Sequence, residues 1–229
     1  MRQPLVKRVV AEALGTFFLL AAVVGSGIMA ERLAGGNTAL ALLANTAATG
    51  AALVALIISF APVSGAHFNP VVTLSFALRH DLVWNEVPIY LLAQLGGGIG
   101  GVMAANVMFG LPAVFVSNHA RSGMAQLFSE FIATLGLVSV ILAASRSTIA
   151  VVAIAVGAYI SAAYWFTAST SFANPAVTVA RSLSDTFSGI RPSDVLGFLL
   201  AQLAGGVAAT VLFGWLMPTQ YDKHNEQIP

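Results

Sequence analysis

His67-Phe-Asn-Pro-Val-Val-Thr73 and, far downstream, Ala173-Asn-Pro-Ala-Val-Thr178 are two copies of one short pattern, each opening on Asn-Pro. Proline suits the first turn of a helix, where its missing N–H would be unpaired anyway. The apolar segments that follow, 69–79 and 174–184, are too short to cross a bilayer, which takes roughly twenty residues. The pattern predicts half-helices that enter the membrane and stop midway. Irregular backbone at that depth is tolerated only where protein buries it or where it lines a cavity.

Working outward, six longer apolar stretches lie at 9–30, 38–60, 84–110, 124–145, 149–167 and 193–217. Each is long enough to span, and loops rich in Gly, Asn, Pro or charge separate them. The composition agrees: of 229 residues 58% are hydrophobic and 8% are charged. A soluble domain carries about a quarter charged residues, so lipid is the expected solvent for most of this surface. The net charge of +1 gives no reason to expect nucleic acid as a partner, and without cysteine there is no disulfide or thiol chemistry. Arg2, Lys7 and Arg8 ahead of an apolar run imitate a signal peptide, but the run contains Glu12 and continues to Ala30, which predicts a retained first span. The fold expected is an all-α membrane protein of six transmembrane helices and two re-entrant half-helices.

Two further echoes accompany the Asn-Pro pair. Glu12-Ala-Leu-Gly-Thr16 matches Glu130-Phe-Ile-Ala-Thr134, and Ala93-Gln-Leu-Gly-Gly-Gly98 matches Ala201-Gln-Leu-Ala-Gly-Gly206. Three collinear matches indicate duplication of a three-span unit, with repeats of about 1–115 and 116–229 inside one channel domain. An odd number of spans forces the copies into opposite orientations, an inverted repeat. The positive-inside rule favours an inner side holding Arg2, Lys7, Arg8, Arg79, Arg146 and Lys223 against an outer side holding Arg32, Arg121, Arg181 and Arg191. Both termini are then cytoplasmic. The polar tail from Gln220 to Pro229 is expected to be disordered.

Half-helices entering from opposite faces would meet N-terminus to N-terminus, with their prolines stacked. That places Asn69, Pro70 and Val71 beside Asn174, Pro175 and Ala176 at the bilayer centre. Helix N-termini carry partial positive charge and free amides. Such a centre offers hydrogen bonds to a neutral polar solute while repelling cations. One Asn-Pro pair alone reads as a helix cap in a loop; two at matching places of an inverted repeat read as a pore. The glycines at 96–98, 100, 101, 205 and 206 lack the Lys-Ser/Thr of a phosphate loop and are expected to let helices approach closely.

With Ser64-Gly-Ala-His-Phe-Asn-Pro-Val71, Asn174-Pro-Ala176 and Glu-x-x-x-Thr in spans one and four, the chain resembles the aquaporin (major intrinsic protein) family over essentially its whole length. The resemblance implies a right-handed bundle assembled as a homotetramer, one pore per subunit. It also implies that Glu12 and Glu130 accept hydrogen bonds from the re-entrant loops and that His67 orders its loop. No cofactor or metal is expected. Val71 stands where the family's motif has alanine, an exchange expected to alter only local packing.

The same resemblance places a four-residue selectivity filter on the outer side. Transferred by spacing from the two asparagines, it comprises Thr49, Ala162 (with Ala158 one turn away), Ser171 and Val177. Water-selective relatives carry an aromatic, a histidine, a small residue and an arginine there; glycerol channels keep the arginine and follow it with aspartate, where this chain has Thr178. A waist of Thr, Ala, Ser and Val would be wide and neutral, with Arg181, one turn beyond Val177, anchoring the vestibule. This combination resembles the bacterial aquaporin S group, found alongside arsenic-resistance genes. It implies an inner-membrane channel passing arsenite, organic arsenicals and small polyols. The alternatives are an ordinary water or glycerol facilitator and a closed-pore structural protein. A secondary transporter would need ion coupling beyond the two repeated glutamates, and no nucleophile–base pair suggests an enzyme.

Overall fold

The computed structural model describes residues 3–217; Arg2, Lys223 and the Gln220–Pro229 tail lie outside the described residues. The helices are α1 (Leu5–Leu33), α2 (Thr38–Ser64), α3 (Pro70–Leu78), α4 (Val87–Met108), α5 (Met124–Ala144), α6 (Ile149–Phe166), α7 (Pro175–Arg181) and α8 (Pro192–Leu216). Six are long and apolar enough to cross a membrane, α4 together with the 3₁₀ turn Trp84–Glu86 before it. The short ones are α3 and α7, the two Asn-Pro segments.

Local chemistry sets several boundaries. The Asn37 side chain accepts from the Leu40 amide and Thr148 from the Val151 amide, capping α2 and α6. α2 stops at Gly65, whose left-handed φ of 95° turns the chain back toward α3. Proline opens α3, α7 and α8 as the first helical residue.

The packing of the first half recurs in the second. α1 packs on α2 and α4, and α3 on α4; α5 packs on α6 and α8, and α7 on α8. The halves join where α2 meets α6, α4 meets α7 and α3 meets α8. Close approach needs glycine at matching points. A Cβ on Gly97 would overlap the Ala13 carbonyl of α1, and one on Gly205 the Phe131 carbonyl of α5.

One turn of the same stripe explains Val71. A Cβ on Gly206 would overlap a Val71 methyl, so the valine fills the groove that this glycine opens. The equivalent Gly98 faces the smaller Ala176 and Ala180 with ordinary clearance. Overpacking a tight contact costs about 1–3 kcal/mol, so Gly206→Ala is expected to lower the apparent Tm by several degrees, and Val71→Ala in the same chain to restore most of it. Thermal unfolding of the two single variants and the double variant checks this; simple additivity would refute the contact.

Candidate functional site

Each loop that feeds a half-helix hangs on one buried glutamate. Glu12 accepts from the His67 amide (3.0 Å), the Phe68 amide (2.7 Å), Ser64 Oγ (2.7 Å) and Gln94 Nε2 (2.8 Å). Glu130 accepts from the Phe172 and Ala173 amides (both 2.9 Å) and Gln202 Nε2 (2.6 Å). The glutamine amides also donate to Thr73 and Thr178 in the half-helices, both at 2.8–2.9 Å. The loops need this support because Ala66, Phe68, Ser171 and Ala173 all have φ between 48° and 52°, a left-handed conformation unfavourable for residues with a Cβ. Gln94 and Gln202 received no role from the sequence, although their place in a repeated motif was a usable signal.

The glutamates bring Asn69 and Asn174 together across the centre. Asn69 Nδ2 donates to the Ala173 carbonyl and Asn174 Nδ2 to the Phe68 carbonyl, each at 2.8 Å. Asn69 Oδ1 accepts from the Val71 amide; Asn174 Oδ1 accepts from the Ala176 and Val177 amides. With each oxygen tied to its own helix and one amide proton spent on the opposite loop, one proton per asparagine remains to donate. Both asparagines line a cavity of about 290 Å³ whose wall runs from Ser147 and Ile149 at the α3 side to Thr49, Tyr164 and Arg181 at the α7 side. Leu19, Val23, Leu53, Ile57, Leu137, Ile141, Val152 and Val156 make most of the wall apolar. His67 lines the cavity too, its Nδ1 3.1 Å from Thr73 Oγ1 and its ring stacked on Phe76.

Of the four positions expected to form a filter, Thr49, Ser171 and Val177 line the α7-side wall and are buried. Ala162 does not, and neither does Ala158; both are exposed on the outer surface of α6. The face turned inward is the i, i+4 series Val152, Val156, Ile160 and Tyr164. Counting back from Asn174 misplaced the position because the intervening loop coils through left-handed Thr170, Ser171 and Ala173. The wall is therefore not all small, because Tyr164 adds an aromatic to it. Tyr164 stands across from Thr49, hydroxyl to hydroxyl at 3.3 Å.

Arg181 belongs to the same wall. Its Nε donates to the Ser188 carbonyl, anchoring the loop after α7, while its guanidinium lies 3.4 Å from the Phe172 ring centroid. Arg121, on the loop between α4 and α5, approaches that ring at 5.0 Å and donates to the Gly189, Ser169 and Phe187 carbonyls and Thr170 Oγ1. Burial lowers the Arg121 pKa to about 10, so it stays charged at neutral pH. Nearby His119 is held below its ordinary pKa, first by desolvation and then by the charges of Arg121 and Arg181. Asp185 is lowered by the hydrogen bonds it accepts from Asn118.

Six spans and two half-helices meeting at paired asparagines beside an apolar-walled cavity are the architecture of a multi-pass membrane channel. The chain belongs to the major intrinsic protein family, whose model matches residues 1–149 and 144–228; its members are channels and not enzymes. It is 55% identical to the aquaglyceroporin AqpS of Rhizobium meliloti (strain 1021), over 93% of this chain and 91% of the relative. It is 32% identical to aquaporin NIP1-4 of Oryza sativa subsp. japonica, over 86% of this chain and 72% of that one. The fold is that of the aquaglyceroporin from Plasmodium falciparum, with a TM-score of 0.74 and 21% identity, covering 94% of this chain and 98% of the other.

Proposed function

We propose that the channel passes uncharged solutes of glycerol size, arsenous acid and small polyols among them, with organic arsenicals at the upper limit. The observation that carries this reading is Val177 on the α7-side wall, flanked by Thr49, Ser171 and Tyr164, all uncharged. An arginine at that position would place a planar fork of donors and a fixed charge across the lumen; valine leaves an apolar surface that accommodates a carbon backbone or a methyl group. The hydroxyls of Thr49 and Tyr164 and the free asparagine protons supply hydrogen bonds along the route. The R. meliloti relative, named an aquaglyceroporin, supports the same size class.

The reading includes one channel domain built of inverted repeats of about 1–115 and 116–229, assembled as a homotetramer in a bacterial inner membrane with both termini cytoplasmic. Tyr164 and Arg181 on the wall favour a second reading, an ordinary glycerol facilitator with an aromatic and a guanidinium at its mouth. Stopped-flow swelling of proteoliposomes under water, glycerol and arsenous acid gradients separates them. The proposal expects both larger solutes to enter faster than in protein-free vesicles. Glycerol entry with arsenous acid at the protein-free rate would leave the facilitator; protein-free rates for every solute would leave a closed pore.

A further inference from the structure

We infer that Arg181 sets the charge selectivity of this pore, holding at the α7-side mouth the cation barrier that Val177 does not supply. The inference rests on the pore reading above. Arg181 is 2% exposed and lines the same cavity as Val177 and Ser171. Its Nε is used on Ser188, and no other hydrogen bond from its guanidinium occurs among the described residues. No carboxylate among the described residues lies within salt-bridge distance of it or of Arg121. The acids of this region are engaged elsewhere: Glu130 by the re-entrant loop, Asp185 by Asn118, and Asp194 by Arg191 and the Arg121 amide.

Arg181 and Arg121 differ in what remains of their donor capacity. Arg121 spends its donors on three carbonyls and a hydroxyl, which makes it a fastener for the loops. Arg181 keeps its Nη edge for whatever occupies the cavity, its charge offset by the Phe172 π face beneath it. Ser171 Oγ, buried on the same wall, also has no partner among the described residues. A fixed positive charge with unpaired Nη donors on this wall suits a solute that brings no positive charge. A cation reaching this point loses hydration and meets a charge of its own sign that no carboxylate among the described residues pairs.

The test compares wild type with Arg181→Gln, Arg181→Met and Arg181→Lys in proteoliposomes, reading K⁺ flux beside glycerol swelling. Methionine is included because an apolar side chain of similar length tolerates the buried site better than a lone amide. The expected result is K⁺ flux about tenfold or more above wild type in the glutamine or methionine variant, with glycerol swelling above that of protein-free vesicles, and a lysine variant as K⁺-tight as wild type. Neutral variants that swell in glycerol yet stay K⁺-tight would overturn the assignment. So would loss of glycerol swelling in both neutral variants, which would make the guanidinium a structural element. If wild type itself fails to swell in glycerol, the pore reading falls and this one with it; if it swells, only the role of Arg181 is at stake.

Discussion

Glu12→Leu is expected to lower the thermal stability of the channel sharply. The carboxylate accepts four hydrogen bonds inside the protein: two from the re-entrant backbone, one from Ser64 and one from Gln94. Leucine accepts none, and each buried donor left unmet costs about 1–3 kcal/mol. The loss falls on a loop already strained by left-handed Ala66 and Phe68, each unfavourable by roughly 1–2 kcal/mol. With the carboxylate gone, among the described residues only the Ala66 amide's bond to Ser64 Oγ and the Phe68 carbonyl's bond from Asn174 remain on these two, and Asn69 loses its place opposite Ala173. A destabilisation of about 4 kcal/mol or more follows, equivalent to a fall in apparent Tm of more than about 10 °C for a chain of this size. Fluorescence-detected size exclusion of heated detergent extracts reads this directly. Glu12→Gln keeps two of the acceptor sites at best and is expected to fall in between. A leucine variant melting with wild type would show that the loop is held by something other than Glu12.

Val177→Arg is expected to produce the largest change in what passes. Val177 is buried on the α7-side wall, four residues before Arg181 on the same short helix. An arginine there extends into the lumen toward Ser171 and Tyr164 and takes the room a polyol needs. It also sets a second guanidinium one turn from the first, and like charges at that spacing repel. Glycerol and arsenous acid permeability should drop about tenfold or more, a barrier increase of roughly 1.4 kcal/mol, while water, small enough to pass the guanidinium, should fall far less. Swelling rates of the variant and wild type in the three gradients measure the ratio. Equal ratios would mean that the selecting position lies elsewhere on the wall, with Tyr164 the first candidate.

Much of this architecture was legible in the chain. Six spans follow from apolar length, the half-helices from their shortness and from proline at the first turn, and the pairing of Glu12 with Glu130 from the repeat. Each is written in a contiguous segment or in a match between two segments, so no knowledge of packing is needed to see it. The loop-holding role of the glutamates, implied by family resemblance, has its physical account in the structure: the residues they support are left-handed without being glycine.

What the tertiary structure decided was which way helices face and where loops return. α6 is apolar on every side, exposing Ile154 and Trp165 as readily as it buries Val156 and Ile160. A helix immersed in lipid has no polar face to mark its outside. Its rotation about its own axis is therefore invisible in the sequence, and a count along it put Ala162 on the cavity wall where the structure has Tyr164. Arg121 and Arg181, sixty residues apart, converge on Phe172 only because two loops fold back over the end of α7, and Gln94 reaches Glu12 only because Gly97 lets α4 approach α1. These positions depend on distances between segments, which the fold creates and a linear pattern does not contain.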